Sequence, residues 1–278
     1  MKAMLLLTDF SDAAFRAAEY GSNLAGFLHV DKLILYHTYR TIAEGIEFPV
    51  PSPKVSGQLY LENMQALAAM QDQLRMVVAG DISYELLAED AFLPKRINQL
   101  CKEQGVEIIV MGVSGKSNKD GLFMGANTSR LLKASKYPVL IVPKDTYVSG
   151  SVKSVVFSTD FQELPSAAAN QLCRFLDAVE ASVHVVNVSP EIAEQYLTKN
   201  KVHLEWLRQL LEKYHPDFHY IVGNDVVKGI LDFSREHHVS MMITVPRQHA
   251  FLSAIFHKSI SKELAYNTQL PLLSLPAR

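Results

Sequence analysis

The chain has 278 residues, 48% hydrophobic and 20% charged, a balance that suits globular folding and excludes a disordered chain. A formal net charge of -2 gives no basic field for gripping nucleic-acid phosphates, and two cysteines are too few for a disulfide framework. The N-terminal apolar run stops at Thr8-Asp9, too short for the core of a signal peptide, and no run reaches the roughly 18 apolar residues of a membrane span. These features predict a cytoplasmic protein with neither nucleic-acid nor membrane partners.

In chain order, residues 3–8 read as a strand and 12–27 as a helix, with Ser11 placed to cap it. Strands near 32–37, 83–88, 107–111 and 138–142 then alternate with helical patterns over 58–76, 93–104 and 126–136. Between the second strand and the second helix, Phe48-Pro49-Val50-Pro51-Ser52-Pro53 breaks any regular element. So long a connection either covers a site or is a plain surface excursion. From residue 153 the pattern begins again, with strands near 153–159, 182–188, 217–222, 239–244 and 270–275.

The second half repeats the first. Thr8-Asp9-Phe10 returns as Thr159-Asp160-Phe161, at an offset of 151. Val106-Glu107-Ile108-Ile109-Val110 returns as Val239-Ser240-Met241-Met242-Ile243 at an offset of 133, which holds through to the closing strands. A unit of roughly 140 residues is thus duplicated, giving domains at 1–147 and 148–278, with an insertion after the second strand of the first. Strict alternation of strand and helix predicts an α/β architecture: two tandem doubly wound domains, each a five-stranded parallel sheet with helices on both faces. Ligands of such sheets bind beyond the carboxyl ends of the strands, where the winding reverses.

At those ends the first half carries Asp9 after its first strand and Gly112-Val113-Ser114-Gly115 after its fourth, with Gly125-Ala126-Asn127-Thr128 opening the last helix. Glycines let backbone N–H groups approach phosphate oxygens, and a helix N-terminus adds free N–H groups and its dipole. Asp9 suits a ribose hydroxyl or a base amino group, and Ser11 takes the cap and leaves it free. Gly115-Lys116-Ser117 is not the tail of a P-loop, because the position five residues before Gly115 is Val110, inside a strand.

The pattern Thr8-Asp9-Phe10-Ser11, His37-Thr38, Met111-Gly112-x-x-Gly115-x9-Gly125 and Pro138-Val139-Leu140-Ile141-Val142 resembles the universal stress protein family, over nearly the whole chain as in its tandem members. The resemblance implies a strand order of 3-2-1-4-5 and an adenine-nucleotide ligand: ATP, ADP or AMP, with or without Mg2+. It implies that Thr8, Asp9 and Thr38 lie on the base and ribose side. Met111, Gly112, Gly115, Gly125, Ala126, Asn127 and Thr128 would then form the phosphate side. Ala126 stands where nucleotide-binding members carry Ser or Thr, and Thr38 where Val is common. It also implies that strands 138–142 and 270–275 pair within one chain as a pseudo-dimer, and leaves a homodimer open.

In the second half Gly112, Gly115 and Gly125 become Val245, Gln248 and Lys258, so this site is expected to be lost. The polar, aromatic stretch 247–259 is expected to pack against the first domain, the alternative being a different anion or a lipid-like ligand. His215, His219, His237, His238, His249 and His257 show no metal-motif spacing and are expected at the surface or behind other groups. Trp206, Cys101 and Cys173 are expected in helix cores. Gly-x-Ser-x-Gly, His-x-Gly-His and Ser-Gly-Gly-x-Asp-Ser are all missing, which favours a stress-response regulator that binds nucleotide over a dedicated catalyst. A weak ATPase and a nucleotide-free interaction module are the alternatives.

Overall fold

The computed structural model describes residues 2–40, 53–78, 82–113, 126–148, 151–245 and 270–276, with backbone alone at 53–55 and 126–129. Two compact units divide the chain between Lys144 and Asp145. The first runs β1 (Ala3–Leu7), α1 (Asp12–Phe27), β2 (Lys32–Tyr39), α2 (Pro53–Val77), β3 (Ser83–Asp90), α3 (Leu93–Gln104), β4 (Val106–Val113), α4 (Ala126–Ala134) and β5 (Val139–Pro143). Its strands are all parallel, in the order β3-β2-β1-β4-β5. β1 lies in the middle with helices over both faces, so the uninterrupted apolar run Ala3–Leu7 is buried throughout.

Helix α1 meets the sheet through small residues, with Ala13, Ala14, Ala17, Ala18 and Ala25 all buried. They let the helix axis come close. At Gly21 an added Cβ would lie 2.9 Å from Leu6 Cδ2. α1 packs with α2, and α3 with α4; right-handed crossovers put these pairs on opposite faces. α3 ends at Gly105, whose left-handed φ of 64° turns its N–H back to the Cys101 carbonyl.

The second unit runs β6 (Ser154–Ser158), α5 (Ser166–Val179), β7 (Ser182–Ser189), α6 (Ala193–Lys199), α7 (Lys201–Leu211), β8 (Asp217–Val222), α8 (Val226–Glu236), β9 (Met241–Thr244) and β10 (Leu272–Ser274). Its strand order, β8-β7-β6-β9-β10, is the same 3-2-1-4-5 winding. Where the first unit has the single helix α2, the second has the shorter pair α6 and α7. Trp206, expected in the core, is half-buried, while its neighbours Leu207 and Leu211 are fully covered. The stretch 247–259 lies outside the described residues. No helix among the described residues is long and apolar enough to cross a membrane.

Candidate functional site

In the first unit β1 is followed towards β2 and β4 towards β5, in opposite directions, so the winding reverses between β1 and β4. The chain leaving β1 is locked there by its own side chains. Thr8 is buried, and its hydroxyl accepts from the Phe10 N–H at 2.9 Å. Asp9 Oδ1 accepts from the Ser11 N–H at 3.0 Å and from the Ser11 hydroxyl at 2.5 Å. Ser11 Oγ caps α1 by accepting from the Ala14 N–H at 3.3 Å. Asp9 is therefore not free as the sequence suggested: one oxygen holds the turn, while Oδ2 has no partner among the described residues. The turn forces Phe10 to a φ of 63°, rare for an aromatic residue.

β2 frames the other side. The His37 Nδ1–H donates to the Thr8 carbonyl at 2.8 Å, and its ring lies 4.5 Å from that of Phe10. Thr38, half-exposed, shares the opposite face of the strand with Tyr36. The buried Tyr36 hydroxyl donates to Glu89 at 2.8 Å, and Arg96 holds the same carboxylate with two N–H groups at 2.9 and 3.1 Å. Arg96 keeps Glu89 below the usual carboxylate range, and burial first, then Glu89, pushes Tyr36 up.

Met111 is buried in β4 opposite Ile141. Gly112 is explained by the helix beside it: a Cβ there would lie 2.1 Å from the Ala13 carbonyl oxygen and 2.7 Å from the Ala14 nitrogen. Its φ is not left-handed. The sequence expected this glycine at an anion contact; the structure gives it a packing role as well, because the first turn of α1 needs the space. Beside that turn lies an open groove of about 580 Å³, lined by Phe10, Ser11, Asp12, Met70, Gln73 and Lys144 among others. Asp9, Thr38 and Gly112 do not line it. The Lys144 ammonium, just past β5, meets Asp12 at 2.8 Å and lowers its pKa. Sequence reasoning missed Lys144; its place at a strand's carboxyl end was the available signal.

The second unit rebuilds the same turn and then closes it. Phe161 has a φ of 53°, its N–H donates to Thr159 Oγ1 at 3.1 Å, and Gln162 N–H donates to Asp160 Oδ1 at 3.1 Å. Asn187 replaces His37, donating to the Thr159 carbonyl at 2.8 Å. Here α6 crosses the strand ends: the Tyr196 hydroxyl donates to the Asp160 carbonyl at 2.6 Å, and Gln162 bonds the buried Asn200. Phe161 is consequently 1% exposed, against 38% for Phe10. Cys101 is buried in α3, where desolvation pushes its thiol up to about 12, and Cys173 is half-buried.

With this geometry, the universal stress protein family model matches residues 1–143, half of the chain. The chain belongs to the universal stress protein family. A universal stress protein of Synechocystis sp. is 22% identical over 99% of both chains. Another, of Methanocaldococcus jannaschii, is 22% identical over 51% of this chain and 82% of its own. Among solved structures, a universal stress protein from Archaeoglobus fulgidus superposes with a TM-score of 0.66 at 19% identity, covering 99% of this chain and 98% of that one. The family's fold is thus present in both units. Of the glycine pattern, Gly112 is described, whereas Gly115 and Gly125 lie outside the described residues. Ala126, Asn127 and Thr128 form the first turn of α4.

Proposed function

We propose that the protein is a nucleotide-responsive regulator of the stress-protein family, taking ATP, ADP or AMP at the carboxyl end of the first unit's sheet only. The observation that carries this is the contrast between two copies of one turn. Around Phe10 the turn keeps Phe10 exposed and Asp9 Oδ2 without a partner among the described residues, whereas around Phe161 it lies beneath Tyr196 and Asn200. A nucleotide at the first turn places its ribose or base edge on Asp9, its base beside Thr38 and its phosphates towards the start of α4, whose free N–H groups and dipole favour anions. Asp9 Oδ1 and Thr8 Oγ1 are engaged in holding the turn, and on this reading binding is a signal read by other proteins rather than a step in turnover.

Calorimetry on the full chain with ATP, ADP and AMP, with and without Mg2+, tests this. Saturable heat near one nucleotide per chain is expected. Asp9→Asn keeps the oxygen that holds the turn but removes the charge, and should weaken binding about tenfold. Silence with all three nucleotides would leave the nucleotide-free interaction module standing, and sustained phosphate release would favour the weak ATPase. The pairing of β5 with β10 is part of the same proposal. Leu140→Cys and Leu273→Cys should then join within a monomer on mild oxidation, and failure to do so counts against it.

A further inference from the structure

The amino ends of the second unit's strands hold a cluster that no spacing motif announces. β7 and β8 run parallel with His184 opposite Asp217 and Val186 opposite His219. The pleat points alternate side chains to one face, so His184, Asp217 and His219 share it. α8 covers this face closely, since a Cβ at Gly229 would lie 3.0 Å from Val188, and its end contributes Phe233 and His237 one turn apart. The three imidazoles form a triangle with ring centres 5.3 to 5.5 Å apart.

We propose that His184, His219 and Asp217 bind a divalent transition ion of the zinc type, with His237 turning in as a fourth donor. His184 Nδ1 and His219 Nε2 are 3.3 Å apart. Two nitrogens on a tetrahedral ion at about 2.0–2.1 Å stand roughly 3.3 Å from each other. Asp217 Oδ2 is 3.9 Å from His184 Nδ1, and one donor atom from each of the three residues lies within 4.8 Å of the others. Small rotations of the exposed Asp217 side chain close that gap, whereas the His184 ring, 13% exposed, is already fixed. Imidazole with carboxylate suits zinc and its neighbours rather than magnesium or calcium.

One further feature fits. His219 lines an open cleft of about 680 Å³ along β8 and α8, which gives an ion a path from solvent. The competing arrangement is one hydrogen bond between the two rings across the same 3.3 Å, with no ion.

Full-length protein stripped with EDTA and titrated with Zn2+ alone, against a chromogenic chelator, separates the two. One ion per chain is expected. His184→Ala and His219→Ala should each lower affinity by about tenfold or more, and Asp217→Asn by less. Asp217 is largely exposed, so its variant carries little folding risk, and circular dichroism of the metal-free histidine variants checks their fold. Co2+ alone, on the wild-type chain, should give the intense visible absorption of a tetrahedral site, a readout that needs no variant. Absence of binding, a weak octahedral Co2+ spectrum, or affinity unchanged in the His184→Ala/His219→Ala double variant would each overturn the proposal. The last would place the ion on others of the chain's ten histidines.

Discussion

Phe10 and Phe161 occupy the same left-handed position in two copies of one turn, and their surroundings decide what each contributes. A bulky residue at positive φ is strained by about 1 kcal/mol or more, which glycine relieves. Phe10, 38% exposed, offsets that strain in part by its contact with His37. Phe161 is fully covered and packs against Tyr196 and Phe218, with ring centres 6.4 Å apart in each case. Phe10→Gly should therefore change unfolding stability by no more than about 1 kcal/mol, while Phe161→Gly should cost about 3 kcal/mol through its cavity. Urea denaturation of both variants checks this. Gly112 makes the opposite case: nothing strains its backbone, yet Gly112→Ala drives a methyl into the Ala13 carbonyl at 2.1 Å. Because backbone rather than a flexible side chain must yield, a loss of about 3 kcal/mol is expected, measured by thermal and urea unfolding.

At the scale of elements, α3 is tied to the sheet by charge as well as by apolar burial. Arg96 bridges Glu89 at the end of β3 and Glu103 two turns further along α3, and Glu89 in turn receives Tyr36 from β2. Glu89 titrates below its ordinary value of 4.5 chiefly because of the Arg96 hydrogen bonds. Its native pKa is lowered, so the unfolded chain binds the proton first as pH falls. The stability it supplies is complete above 4.5 and drains away as pH drops through the lower native value. Arg96→Met should cost about 2 kcal/mol at pH 7, and the gap from wild type should narrow below pH 4.5; urea midpoints across pH 3–7 measure it. Little of this was legible beforehand. The strands were, because apolar runs such as Ile108-Ile109-Val110 bounded by turn residues admit few other readings, whereas α2 starts at Pro53, five residues before the helical pattern at 58–76 and at a proline read as a breaker, because proline is tolerated in a helix's first turn. An ion pair between a strand end and a later helix depends on register that a sequence does not display. The same is true of His184, Asp217 and His219, which are brought together by the pairing of two strands rather than by spacing along one helix.

The whole molecule reads as one unit written twice and then edited. The repeat and the Thr-Asp-Phe turns were visible in the sequence, and the strand order followed from the family resemblance; the reason the copies differ was not visible. Four residues, Thr8 to Ser11, separate β1 from α1, whereas seven, Thr159 to Pro165, separate β6 from α5. The first helix of the second copy thus starts three residues later after its strand than that of the first. Val245, the counterpart of Gly112, is buried there without a glycine. On the proposed function, loss of that glycine and cover by α6 belong together, since a copy that takes no nucleotide can be filled by side chains. A nucleotide that binds native protein stabilises it by about 2.7 kcal/mol at a hundredfold excess over its Kd, and amide exchange reports where that stabilisation falls. With saturating ATP, slower exchange is expected in peptides covering Leu7–Ala14 and Ile109–Val113, and none in those covering Ser158–Leu164 or Met241–Val245. Equal protection of both sets would mean that α6 opens for a second nucleotide, and the division of labour between the copies would be wrong. Protection confined to the second set would reverse it.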